Sequence, residues 1–149
     1  MDTGFDYLPT LEAPLDLIDQ VETVISSLAE ADSAQVNYSD EGYLWRFRYG
    51  TVEVLVQLTG TTEADVFTVW SCVLVLPVKD ELGLHRRLLH LNWTTTMEAR
   101  FALLGDEVVV AAARTVADLS AGEISRTITL VASLADLFDE ELQQAFPPE

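Results

Sequence analysis

The sequence has few of the residues that bind nucleic acid. Among its 149 residues, eight lysines and arginines face 25 aspartates and glutamates, so the formal net charge at pH 7 is −17. Binding a duplex requires several cationic side chains to neutralise phosphates, yet the longest basic run is Arg86-Arg87. Anionic membranes repel such a chain for the same reason. We therefore expect no nucleic-acid or membrane partner; the acidity either keeps the chain soluble or attracts a basic or amphipathic polypeptide.

Cysteine and histidine are equally scarce, which argues against disulfides and metal sites. Cys72 is the only cysteine, so no internal disulfide forms, and its apolar neighbours indicate a small buried hydrophobe. His85 and His90 are five residues apart, ~140° around a predicted helix, so they cannot coordinate the same metal ion as an i, i+4 pair does. The acidic residues 139–141 lack the alternation of a calcium loop and are interpreted as a solvated helix face. We predict no metal and no cofactor.

Motifs for catalysis and export are missing too. The seven glycines stand singly, so no phosphate-binding loop is present, and no serine or cysteine lies in a glycine-flanked nucleophile elbow. We therefore predict that the protein is not an enzyme. The first residues carry neither a positive charge nor an apolar stretch of seven, and residues 72–77 are too few for a membrane span. We expect a cytoplasmic location.

Hydrophobic spacing predicts one α+β domain over residues 1–149, with a loose arm at residues 1–12. The predicted order is α-β-β-β-α-β-β-α, with a mostly antiparallel five-stranded sheet. The first helix spans about 18 residues, from Pro14 in its first turn to residues 31–32. Residues 35–38 are expected to extend the first strand. The remaining predicted elements are strands 43–49, 52–58 and 66–76, a helix from Asp80 to residues 92–93, strands 97–104 and 107–114, and a helix capped by Ser120 and Glu123.

The predicted sheet has more apolar surface than three helices cover. Strand 66–76 is apolar on both faces, which predicts a central strand covered on both sides, and residues 108–113 repeat the pattern. The last helix carries two apolar rows. Surplus apolar surface usually marks an interface, and a symmetric dimer is the commonest way to bury it.

Two arginines share one face of the predicted strand 43–49. Arg46 and Arg48 lie opposite Glu53 in the predicted hairpin, where cross-strand ion pairs contribute under ~1 kcal/mol each. The alternative is a clamp for a carboxylate or a peptide backbone.

The segment LLHLNWTTTMEARFALL, residues 88–104, is similar to the YbjN-like family, which has a type III secretion chaperone-like fold. The likeness rests on the pairs Leu91-Asn92, Arg100-Phe101 and Ala135-Asp136 and on hydrophobic spacing over residues 12–143. It implies a protein without catalytic residues that binds another polypeptide. It also implies a homodimer built through the second helix and the following strand. On this chain those interface residues are Leu84, Leu88, Leu91, Trp93, Met97 and Phe101.

Two functions follow from these observations. The first is a non-enzymatic, dimeric protein-interaction module, either chaperone-like or a regulatory adaptor for another polypeptide. The alternative is a small-molecule-binding domain, with an apolar pocket between the sheet and the C-terminal helix lined by Trp45, Trp70 and Phe138.

Overall fold

The computed structural model describes residues 16–149. The helices and strands are α1 (Leu17–Leu28), β1 (Gln35–Ser39), β2 (Gly42–Tyr49), β3 (Val52–Leu58), β4 (Val66–Val75), α2 (Glu81–Thr94), β5 (Arg100–Leu104), β6 (Glu107–Thr115) and α3 (Ala121–Ala145). The expected arm of residues 1–12 and the first-turn position of Pro14 lie outside the described residues.

The sheet has six strands in the order β1-β2-β3-β4-β6-β5, and each neighbouring pair is antiparallel. The prediction of an α+β fold is therefore confirmed, but the prediction of five strands is wrong. Residues 35–38 do not extend β2; they form β1, because the chain reverses between Ser39 and Gly42. Gly42 has φ +98°, a conformation that side chains with a Cβ rarely adopt, and this permits the turn.

Helix α3 organises the core from one side of the sheet. It packs against β3, β4 and β6, and α1 packs against α3 in the same layer. The side chains that face this layer are almost fully buried, among them Val54, Val56, Phe67 and Val69. The prediction that β4 is covered on both sides is wrong for the described residues. Trp70 and Cys72, which point away from α3, are only half-buried.

Hydrogen bonds stabilise α3 at its first turn and again near its C-terminal end. The predicted capping box is confirmed: Glu123 N–H donates to the Ser120 hydroxyl at 3.1 Å, and Ser120 N–H donates to the Glu123 carboxylate at 3.1 Å. The hydrogen bond from the Ser120 backbone and nearby Arg114, at 2.9 Å, hold the pKa of Glu123 below its ordinary value. Near the other end, the Thr51 hydroxyl donates to buried Asp139 at 2.7 Å.

The prediction that residues 139–141 form a solvated helix face is wrong for Asp139, which is buried, and holds for Glu140 and Glu141, which are exposed. Asp136 also contacts the β2–β3 turn, because it accepts a hydrogen bond from Thr51 N–H at 2.9 Å. Gly50, with φ +58°, has no room for a Cβ, which would lie 2.1 Å from the Asp136 carboxylate. The two aspartates therefore tie the β2–β3 turn to α3.

Two element boundaries differ from the predictions. Helix α1 has 12 residues, not about 18, and it begins after Asp16, whose side chain accepts from Asp19 N–H at 2.9 Å. Strand β5 begins at Arg100, not at residue 97. Met97 adopts φ +57°, which belongs to a turn, and so it lies in the loop that follows α2.

We expect Ser120→Ala to lower the free energy of unfolding by about 1 kcal/mol, because the first backbone N–H groups of α3 lose their side-chain acceptor. Urea unfolding measures this difference. The control is Ser125→Ala, at an exposed position inside the same helix. Equal stability of the two variants would contradict the assigned role of the cap.

Candidate interaction site

Helix α2 has two apolar faces, and only one of them is buried. Leu84, Leu88 and Leu91 repeat at a spacing of four and three residues and lie in the core. Leu82, Leu89 and Trp93 repeat at seven and four residues, which places them in one stripe on the opposite side of the helix. Their side chains are 68%, 68% and 89% exposed. An almost fully exposed tryptophan aligned with two exposed leucines is typical of a contact surface.

This exposed stripe continues beyond the helix. Met97, 65% exposed, lies in the loop after α2, and Leu103 of β5 is also exposed. We call the five residues Leu82, Leu89, Trp93, Met97 and Leu103 the α2 patch. Leu89 and Leu103 line the same groove between α2 and β5, which has a volume of about 280 Å³.

The groove runs along β5, which is an edge strand of the sheet. Asn92 Oδ1 accepts a hydrogen bond from Phe101 N–H at 2.7 Å, and Asn92 Nδ2 donates to the Phe101 carbonyl at 3.2 Å. The Asn92 side chain thus takes the place that a neighbouring strand would occupy, and it protects part of an otherwise open edge. The Nε2 atom of His85, also beside the groove, is buried without a hydrogen-bond partner among the described residues.

The structure divides the six residues predicted for the dimer interface into two groups. Trp93 and Met97 are exposed and belong to the α2 patch. The other four are buried in the hydrophobic core; these are Leu84, Leu88, Leu91 and Phe101. Leu82 and Leu89 are not among the six predicted residues, although their seven-residue spacing, continued to Trp93, is visible in the sequence.

The residues proposed for a small-molecule pocket do not line one cavity. Trp45 is buried and pairs with Val56, on the side of the sheet that faces the helices. Phe138 contacts Phe101 edge-on at 5.8 Å in that layer. Trp70 points to the other side of the sheet. The pocket lined by these three side chains is therefore absent from the described part of the chain.

Residues 16–149 show little that favours metal binding, a reactive thiol or a membrane span. No group of three or more potential metal ligands occurs within residues 16–149. Burial and the neighbouring Glu107 raise the pKa of the Cys72 thiol, which disfavours the reactive thiolate. No helix in residues 16–149 combines the length and the apolar character needed to cross a bilayer.

Comparison with solved structures shows the class of fold. The chain is similar to one chain of a structure described as the "Crystal Structure of the ExsC-ExsE Complex", with a TM-score of 0.56 and 17% identity. The match covers 85% of this chain and 96% of the other. The α+β type III secretion chaperone-like fold predicted from the sequence is thereby confirmed, with six strands in its sheet.

Comparison with protein families is more specific. Residues 17–144 match the model of the YbjN family, described as "Putative bacterial sensory transduction regulator". The chain belongs to the YbjN family, as the pattern around Leu91-Asn92 and Arg100-Phe101 indicated. No curated protein sequence matches the chain.

We expect Asn92→Ala to lower the free energy of unfolding by about 1–3 kcal/mol, because it removes two hydrogen bonds from the half-buried edge of β5. Hydrogen exchange at the Phe101 amide should become faster, since that N–H loses its acceptor. The control is Asn37→Ala on the opposite edge strand, where the side chain is exposed. Unchanged exchange at Phe101 would contradict the role of Asn92.

Proposed function

We propose that this protein is a single-domain, non-enzymatic, cytoplasmic interaction module that forms a homodimer and binds another polypeptide as a chaperone or regulatory adaptor. The observation that carries the proposal is the α2 patch, above all Trp93, with 89% of its side chain exposed. Exposed apolar side chains favour association, because burying a leucine side chain completely in an interface stabilises the complex by about 1.5–3 kcal/mol.

A second copy of this chain is the partner that we propose for the α2 patch. The patch is a stripe of apolar side chains along one helix, and a two-fold axis brings such a stripe onto itself. Arg86 lies within the stripe, between Leu82 and Leu89. It is one of few charges there, which fits the depletion of charge at the centre of interfaces.

Binding of another polypeptide is supported by the family and by the fold. The family description names a regulator of sensory transduction, and such regulation requires contact with other molecules. The similar solved chain comes from a complex named for two components, ExsC and ExsE. On this basis we propose a polypeptide partner for the present chain too.

The double variant Leu89→Glu/Trp93→Glu tests the dimer. We expect the wild-type chain to have twice the protomer mass of 16.5 kDa in light scattering after size-exclusion chromatography. The double variant should be monomeric, because two carboxylates would be buried against their symmetry mates. Circular dichroism checks that the variant remains folded.

The matched control is Leu137→Glu, since Leu137 is also an exposed leucine but lies on α3, outside the patch. We expect this variant to remain dimeric. A folded, dimeric Leu89→Glu/Trp93→Glu variant would show that the α2 patch is not the dimer interface. A monomeric wild-type chain would overturn the proposed homodimer altogether.

A further inference from the structure

The side of the sheet that faces away from α3 has a defined arrangement of residues. The strand register places Arg46, Leu55, Trp70, Ala111 and Arg100 in one row across β2, β3, β4, β6 and β5. We call this side of the sheet the open face. At a spacing of about 4.8 Å per strand, the two arginines at the ends of the row are about 19 Å apart.

The centre of the open face is apolar and incompletely covered. Leu55, Trp70 and Ala111 are half-buried, whereas residues on the other side of the same strands are almost fully buried. Within residues 16–149, α1 and α3 lie on that other side, and α2 packs beside β5. The apolar row is therefore available to a further layer of structure.

The open face differs in charge from the rest of the molecule. Its strands place three of the eight cationic residues of the chain on this face, Arg46, Arg48 and Arg100, but only two of the 25 acidic ones, Glu53 and Glu107. The fourth strand arginine, Arg114 of β6, lies opposite Phe67 on the other side of the sheet and pairs there with Glu123 of α3.

Within residues 16–149, two of the three arginines on the open face have no neutralising partner. Arg46 approaches Glu53 at 3.8 Å, which confirms one of the two predicted cross-strand ion pairs. Arg48 lies opposite Glu53 in the register but forms no ion pair with it. Within the described residues, neither Arg48 nor Arg100 has an ionic or hydrogen-bonding partner for its guanidinium. These two arginines can therefore bind carboxylates of a partner.

The form of the partner follows from the hydrogen bonding of the sheet. Strands β2, β3, β4 and β6 are paired on both edges, so the open face offers no free backbone groups to a bound chain. An extended segment lying on this face would leave its own N–H and C=O groups unpaired. A helix satisfies these groups internally, and helices are the usual second layer on a sheet.

We propose that the open face binds an amphipathic helix of a partner protein, whose apolar stripe covers Leu55 and Trp70 and whose flanking carboxylates pair with Arg48 and Arg100. This inference rests on the proposed function and specifies the chemistry of the polypeptide. An amphipathic polypeptide is one of the two partners expected from the sequence, but the arginines of the open face favour acidic flanks, whereas the net charge alone favours basic ones.

A synthetic helical peptide of 18 residues serves as the probe. It carries leucines at helical spacing and glutamates on both flanks, and its length of about 27 Å spans the row. Fluorescence anisotropy measures its binding to the full-length chain at low salt. We expect Arg48→Glu and Arg100→Glu each to weaken binding at least tenfold. The control Lys79→Glu makes the same change in charge at an exposed residue outside the sheet, and it should have little effect.

A matched peptide with lysines in place of the glutamates tests the sign of the charge. We expect it to bind at least tenfold more weakly than the acidic peptide. Equal or stronger binding of the lysine peptide would overturn the proposal, and so would undetectable binding of the acidic peptide. A change of oligomeric mass in Arg100→Glu would assign the open face to a second copy of the chain and would overturn it too.

Failure of this inference is distinguishable from failure of the proposed function. A dimeric wild-type chain that binds a polypeptide equally well with and without Arg48→Glu or Arg100→Glu would overturn only the assignment of the open face. A chain that is monomeric and binds no polypeptide would overturn the proposed function itself.

Discussion

Helix α3 covers one side of the sheet, and the rest of the structure depends on this one-sided packing. Its apolar residues bury β3, β4 and β6 and also provide the surface for α1. The capping box at Ser120 fixes where the helix begins, and Asp136 and Asp139 hold the β2–β3 turn against it. Because α1 and α3 both lie on this side, the half-buried residues of the other side have no helical layer over them within residues 16–149.

The packing of the helices on one side of the sheet also explains why α2 has one buried and one exposed apolar stripe. At the β5 edge of the sheet, the inward leucines of α2 complete the core, and Asn92 satisfies the outward backbone groups of Phe101. The helix is therefore anchored on one side, while Leu82, Leu89 and Trp93 remain exposed on the other. A rigid, anchored helix that presents apolar side chains loses little conformational freedom on association, which favours a specific interface.

The parts of the fold that depend on local patterns were predictable from the sequence. The hairpin of β2 and β3 and the cap at Ser120 have local signals, and the structure confirms both. The coverage of β4 was not predictable, because an apolar strand facing a partner has the same composition as one facing a helix. For α2, periodicity alone does not show which of its two apolar stripes faces the core, since that depends on contacts with the rest of the fold.

The central claim is that this chain works as a dimer that holds another polypeptide. Native mass spectrometry of the protein, isolated gently from its own host, tests this claim most directly. The account predicts a species with the mass of two chains plus a bound polypeptide, and the mass of that polypeptide helps to identify it. A single chain without a bound polypeptide, or one carrying a compound of a few hundred daltons, would contradict the account.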